Sequence, residues 1–144
     1  MRMSLSELLK KDMIERIAPD GKQAEELLLK AENDLKVARD TFNAGNYGWT
    51  LAIAYNSMLS AGRALMAKTG YRARSETHHL AVVRFCAAVM PADTSGVIGI
   101  FNKYRVRRHD VVYGESESVG EGEAKRALEN AAGFLDKING KIKR

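Results

Sequence analysis

Two long stretches with helical periodicity limit the folds open to this chain. Between residues 22 and 44, small and apolar side chains recur every three or four residues, at Ala24, Leu27, Leu28, Ala31, Leu35, Ala38 and Phe42. This spacing places them on one face of a helix. Residues 46–69 are apolar around more than one face, as in a helix with neighbours on several sides. Because Gly45 and Gly70 follow the two stretches, they predict the C-terminal ends of two packed helices.

Four further segments carry apolar side chains at helical spacing. They are residues 4–18, 77–90, 96–112 and 123–138. No segment shows the alternating pattern of a strand, and the glycine- and glutamate-rich residues 113–123 are expected to form a surface loop. The sequence therefore predicts an all-α fold, an up-and-down bundle of about five helices. We expect a single domain, 1–144, with a short N-terminal helix (4–18) and a core (22–142).

Composition narrows the classes of protein that this chain can belong to. Its 144 residues carry a formal net charge of +5 and include one cysteine, Cys86. A lone cysteine forms no internal disulfide, and Cys86 lies in an apolar run, so we expect a buried residue and a cytoplasmic protein. The sequence has no apolar run of eighteen residues and a charged N-terminus, so neither a membrane span nor a signal peptide is expected.

The segment of residues 101–114, FNKYRVRRHDVVYG, concentrates the unusual chemistry. On a helix at about 100° per residue, an apolar arc forms from Val97, Ile98, Phe101, Tyr104, Val111 and Val112. Arg108 falls inside this arc, where a guanidinium group needs an acceptor or a countercharge. Either its stem covers the core and its head pairs with a carboxylate such as Asp34, or it receives a phosphate group.

A polar margin lies beside the apolar arc. It consists of Asn102, Arg105, His109 and Tyr113, whereas Lys103, Arg107 and Asp110 are expected to face solvent. Arg63 is the one charge within the apolar run of residues 46–69, and we expect it to pair with a carboxylate or with a bound phosphate. The expected phosphate-binding residues are therefore Arg63, Asn102, Arg105 and Arg108.

Metal and nucleoside-triphosphate chemistry find little support in the sequence. His78 and His79 are adjacent, so on a helix they point about 100° apart and make a poor metal pair. The GEGE run of residues 120–123 does not follow a strand, as a phosphate-binding glycine loop would. We therefore expect no metal and no cofactor.

Three blocks of this sequence resemble the HEPN superfamily, the higher eukaryote and prokaryote nucleotide-binding domains. They are AENDLKVARDTFNAGNY, AIAYNSMLSAGRALMAKTG and RRHDVVYG. The resemblance covers about residues 24–134. It implies an all-α bundle that is commonly a homodimer, with the late helices of two subunits forming a shared groove. It also implies, for many members, a small nucleotidyltransferase partner in a toxin–antitoxin pair.

Active members of that superfamily are metal-independent RNases with an arginine followed after four to six residues by a histidine. In this sequence Arg108 takes the place of the arginine, but Tyr113 stands where a histidine is expected. His109 is the only histidine of the segment. Three functions remain open: binding of a nucleotide or RNA phosphate, RNA cleavage by His109 with Arg108 and Tyr113, and a purely structural role.

Overall fold

The structure, a computed structural model, describes residues 2–74, 78–114 and 119–143. Its helices are α1 (Leu5–Lys10), α2 (Gly21–Asn43), α3 (Tyr47–Thr69), α4 (His78–Val89), α5 (Ser95–Val112) and α6 (Glu121–Ile142). Two short strands, β1 (Ile14–Arg16) and β2 (Tyr71–Ala73), form a small sheet. The predicted all-α class is confirmed, with six helices rather than about five. None of the helices in the described ranges is long and apolar enough to cross a membrane.

The two helices with the strongest periodicity begin and end within a residue of their predicted limits. Asp20 caps α2, and its Oδ1 accepts a hydrogen bond from the backbone N–H of Gln23 at 3.0 Å. Gly45 follows α2 with a φ of 81°, and Gly70 ends α3 with a φ of 90°. Because glycine adopts this left-handed conformation without steric penalty, the two glycines end the helices as expected.

Helix α3 is the centre of the bundle and packs against α2, α4, α5 and α6. Its contact with α2 is close enough for the Ser57 hydroxyl to donate a hydrogen bond to the carbonyl of Ala31, at 2.7 Å. The largest fully buried side chains include Tyr55, Phe85 and Phe101, from three different helices. The core therefore surrounds α3, as its nearly uniform apolar surface predicted.

Helix α4 approaches α3 at Gly62. A Cβ atom added to Gly62 would lie 2.6 Å from Cγ1 of Val82 and 3.2 Å from Sγ of Cys86. Real Cβ atoms do not make contacts of 2.6 Å, so the two helix axes can be this close only with glycine at this position. A small residue of α3 thus allows the close approach of α4.

The small sheet corrects two predictions. The N-terminal helix, predicted over residues 4–18, ends at Lys10, and the following chain forms β1, which pairs antiparallel with β2. The two strands have three residues each, and the Nε of Arg72 lies 2.6 Å from Oε2 of Glu15 across them. A strand of three residues is too short to show an alternating pattern of apolar and polar side chains, so the sequence gives no signal for it.

In the second half of the chain, two predicted segments include residues that the structure does not describe, and α6 differs from its predicted limits. Residues 115–118 of the expected loop lie outside the described residues, as does Thr77 of the expected fourth helix. Helix α6 begins at Glu121, two residues early, and continues to Ile142. Acidic side chains in its first turn, Glu121 and Glu123, favour this start because they lie at the positive end of the helix dipole.

Candidate functional site

Helix α5 is oriented by its aromatic residues. Phe101 is fully buried, and its ring lies 5.7 Å from that of Tyr55 on α3 and 5.1 Å from that of Phe134 on α6. Residues four and seven positions after Phe101 lie on nearly the same side of a helix. The anchoring of Phe101 therefore directs Arg105 and Arg108 towards α3.

Arg108 lies partly buried against α3, as its position inside the apolar arc predicted. Its guanidinium carbon is 5.9 Å from the centroid of the Tyr55 ring. Its Nε is shielded from solvent and has no hydrogen-bond partner among the described residues. A buried N–H donor without an acceptor costs about 1–3 kcal/mol, and the contact with the ring face offsets part of that cost.

Asp34 does not supply the countercharge that we had considered for Arg108. Its Oδ2 lies 2.9 Å from Nζ of Lys30, one turn earlier on α2. In the part of the chain that the structure describes, no ion pair includes Arg63, Arg105 or Arg108. The interpretation that Asp34 neutralises Arg108 is therefore wrong.

Tyr55 and His79 form a hydrogen-bonded pair beside these arginines. The Tyr55 hydroxyl lies 3.0 Å from Nδ1 of His79. Burial raises the pKa of Tyr55 to about 12, although the charges of Arg105, Arg108 and Arg63 oppose this rise. Burial, together with Arg63, Arg108 and further positive neighbours, lowers the pKa of His79 to about 4. At neutral pH the hydroxyl is therefore the donor and Nδ1 of a neutral His79 is the acceptor.

Arg63 lies on α3 about two turns after Tyr55, and its side chain reaches the histidines at the start of α4. Its Nη2 makes a hydrogen-bond contact with Nε2 of His78. Burial lowers the pKa of Arg63, and burial with the nearby Arg63 charge lowers the pKa of His78. Because His78 is then neutral, it accepts a hydrogen bond without cancelling the charge of Arg63.

We name Arg63, Arg105 and Arg108, whose charges act on the Tyr55–His79 pair, the arginine cluster. All three charges act on the pKa values of Tyr55 and His79, and no carboxylate of the described residues contributes to either shift. Like charges gathered at a partly buried position repel one another unless an anion approaches. The arrangement can therefore bind an anionic group, and guanidinium groups suit phosphate in particular.

The remaining predicted site residues are only partly brought together. Asn102, which is exposed, accepts a hydrogen bond from Nε of the half-buried Arg105 at 3.0 Å. His109 and Tyr113 are exposed, with their ring centroids 4.7 Å apart. Within the described residues, neither ring forms a hydrogen bond or a ring contact with Arg108. The structure thus gathers the three arginines and leaves His109 and Tyr113 as a separate pair.

Arg107 does not face solvent as the helix projection predicted. It is half-buried, and its Nε and Nη2 donate to the carboxylate oxygens of Glu123 at 3.0 and 3.1 Å. The hydrogen bonds and charge of Glu123 raise the pKa of Arg107. The projection treated α5 alone, whereas α6 packs beside it and covers this side of the helix.

The sequence did not identify Tyr55 and His79 as site residues. Tyr55 lies in the apolar run of residues 46–69, and His79 drew notice only as half of a poor metal pair. A signal was present, because a tyrosine in a helix that is buried all round needs a partner for its hydroxyl. His79, one of the two adjacent histidines that follow α3, supplies the acceptor for that hydroxyl.

The fold and this site define an all-α bundle in which Arg63, Arg105 and Arg108 form no ion pair with any carboxylate of the described residues. A protein-family model described as HEPN domain matches residues 24–141, which is most of the chain. The chain belongs to the HEPN domain family. A search of the curated proteins gave no match to it.

Proposed function

We propose that this protein binds the phosphate of a nucleotide or of RNA at the arginine cluster. The observation that carries the proposal is the shielded Nε of Arg108, a donor without a partner among the described residues. A phosphate oxygen would accept that hydrogen bond and would offset the repulsion among Arg63, Arg105 and Arg108. Nucleotide and RNA binding is also what the HEPN family suggests.

The test compares two single-charge changes on one helix. Arg108→Gln removes a charge from the arginine cluster, whereas Lys103→Gln removes one from the exposed side of α5. We expect Arg108→Gln to weaken binding of single-stranded RNA about tenfold or more, and Lys103→Gln to weaken it about twofold. Equal losses in both variants would show that RNA binds the net charge and not the cluster.

RNA cleavage is the second function, and the structure favours it less than binding. The pair beside the arginines is poorly matched to proton transfer at pH 7, because His79 has a pKa of about 4 and Tyr55 a pKa of about 12. His109 is exposed, and its ring contacts Tyr113. Cleavage with His109 as the proton-transfer group, assisted by Arg108 and Tyr113, remains the alternative. Its test is RNA incubated in EDTA with wild type and His109→Ala, with loss of cleavage in the variant as the supporting result.

The family also suggests how the protein assembles. We propose a cytoplasmic homodimer in which the α5 helices of two subunits approach each other, with a nucleotidyltransferase as a further partner in a toxin–antitoxin pair. The exposed side chains of Val106 on α5 and of Tyr113 directly after it support the dimer, because they are among the exposed large hydrophobic residues. Light scattering tests it: wild type should have twice the monomer mass, and Val106→Glu should reduce it.

A further inference from the structure

A groove runs along strand β2, where α2 and α3 come close to the small sheet. It has a volume of about 400 Å³, and all three residues of β2 line it together with apolar side chains of the two helices. A second recess of about 460 Å³ shares Arg72, Ala73 and His78 with this groove and is also lined by Glu15 and Arg74. We name the two recesses together the β2 groove.

The hydrogen bonds of the small sheet show which backbone groups of β2 point away from β1. The N–H of Arg74 donates to the carbonyl of Met13, and the N–H of Ile17 donates to the carbonyl of Gly70, both at 2.9 Å. In an antiparallel ladder, pairs that exchange hydrogen bonds alternate with pairs that do not. The pair in the middle of the sheet is therefore also a hydrogen-bonded one.

The pairs on either side of that middle pair leave their own backbone groups free. Tyr71 and Ala73 belong to them, so the N–H and C=O groups of these two residues point away from β1. The sheet consists of β1 and β2 alone in the part of the chain that the structure describes. An open strand edge of this kind accepts an extended segment of another chain as an additional strand.

Positive charge exceeds negative charge in the β2 groove. Arg72 and Arg74 share the carboxylate of Glu15, at nitrogen–oxygen distances of 2.6 and 3.6 Å. Arg63 also lines the groove, and its side chain contacts His78 but forms no ion pair with another described residue. Because three guanidinium groups line the groove with one carboxylate, a partner with carboxylates of its own fits it.

Apolar side chains complete the lining. Leu27 of α2 is half-buried and Met66 of α3 is buried, and both line the groove. An extended segment directs successive side chains to opposite faces, so it can offer apolar groups to these residues and carboxylates to the arginines. RNA would satisfy the charge but has no backbone that pairs with a strand edge. The lining therefore favours a protein segment.

We infer that the β2 groove binds an extended acidic segment of a partner protein, which pairs with β2 as a third strand and places carboxylates against Arg63, Arg72 and Arg74. Backbone pairing supplies the direction of the segment, and the arginines select its charge. This inference does not rest on phosphate binding at the arginine cluster, so either proposal can fail without the other.

The test measures fluorescence polarisation with a labelled peptide of about seven residues in which glutamate and valine alternate, a length typical of one strand. The comparison ligand has the same side chains joined by ester linkages, which keep the charge but remove the backbone N–H donors. We expect wild type to bind the ester form about tenfold more weakly, the effect of about two lost hydrogen bonds. A peptide with lysine in place of glutamate should not bind.

Two variants test the groove itself. Arg63→Gln should weaken binding of the acidic peptide about tenfold, because it removes the guanidinium that has no ion pair among the described residues. Ala73→Pro removes an outward N–H, and proline is tolerated where a strand N–H makes no ladder bond. It should also weaken binding about tenfold. Lys125→Gln is the control, since Lys125 is exposed on α6 and does not line the groove, and it should change the affinity less than about twofold.

Several results would overturn the inference. They are failure of wild type to bind the acidic peptide, equal affinity for the amide and ester forms, and equal losses in Arg63→Gln and Lys125→Gln. A loss of oligouridylate binding in Ala73→Pro would instead make RNA the occupant, and a loss of dimer mass would make it a second copy of this chain. If Ala73→Pro is too unstable to measure, the amide and ester peptides with wild type decide the outcome.

Discussion

The hydroxyl of Tyr55 lies 3.0 Å from Nδ1 of His79, and this contact joins α3 to α4 within reach of three guanidinium charges. The pair is neutral at pH 7, because the pKa of Tyr55 is raised to about 12 and that of His79 is lowered to about 4. A neutral pair does not compete with a bound anion for the arginines. It also does not help to neutralise them when the anion is absent.

The lowered pKa of His79 predicts how stability changes with pH. The unfolded chain binds a proton at this residue near pH 6.5, whereas the folded chain does so only near pH 4. Folding stability should therefore be complete above pH 6.5 and decrease as the pH falls to about 4. The loss should be about 1 kcal/mol, after a discount for the solvent exposure of His79.

Urea unfolding of wild type and His79→Gln between pH 4 and pH 7.5 measures this contribution. The variant should lose less stability than wild type over that interval, since it lacks the group that titrates. His109→Gln is the control, because the exposed His109 lies outside the pair. Identical pH profiles for wild type and His79→Gln would contradict the assignment of a neutral, half-buried His79.

Arg108→Met should separate stability from binding. In buffer without phosphate, methionine keeps an apolar stem beside Tyr55 but removes the charge that Arg63 and Arg105 repel. It also removes the Nε, which has no partner among the described residues. We expect the free energy of unfolding to rise by about 1 kcal/mol. The variant should lose RNA binding at the same time. Denaturant titration gives the first quantity, and a lower free energy of unfolding would identify Arg108 as a residue that the fold requires.

Gly62→Ala should destabilise the protein, because its Cβ would lie 2.6 Å from Cγ1 of Val82. The expected loss is about 1–3 kcal/mol, the usual cost of overpacking. Gly133→Ala is the matched change on α6, where a Cβ meets nothing within 4 Å. It should instead stabilise the helix by about 0.5–1 kcal/mol. The two denaturation midpoints should therefore move in opposite directions, and a joint shift would contradict the packing of α3 on α4.

The pair of Arg107 and Glu123 should stabilise the contact between α5 and α6. Its two hydrogen bonds and partial burial predict a coupling energy of about 1 kcal/mol in a double-mutant cycle with Arg107→Gln and Glu123→Gln. The exposed pair Lys30–Asp34 within α2 should give about 0.3–0.5 kcal/mol in the matching cycle. Equal coupling in both cycles would show that burial adds nothing to the α5–α6 pair.

The periodic features of the sequence predicted the helices well. The limits of α2 and α3 could be predicted from the spacing of apolar side chains and from the glycines that follow each helix, Gly45 and Gly70. Both signals depend only on the local sequence. The strands β1 and β2 were not predicted, since each has three residues and their partners lie 57 residues apart, as in the contact of Glu15 with Arg72.

The candidate site was predicted in part, for a related reason. Arg63 and Arg108 stood out because each is a charge in an apolar pattern, which a single helix projection reveals. Tyr55 and His79 were missed because their contact depends on how α3 and α4 pack, and no single helix contains that information. The same limitation applies to Arg107, whose partner is on α6.

Gly62 has a consequence for the site as well as for the core. It lies seven residues after Tyr55 and one before Arg63 on α3, while Val82 lies three residues after His79 on α4. The absence of one methyl group therefore sets the gap across which the hydroxyl of Tyr55 meets the ring of His79. A ligand at the proposed arginine-cluster site would therefore meet α3 and α4 at a separation that the contact of Gly62 with Val82 sets.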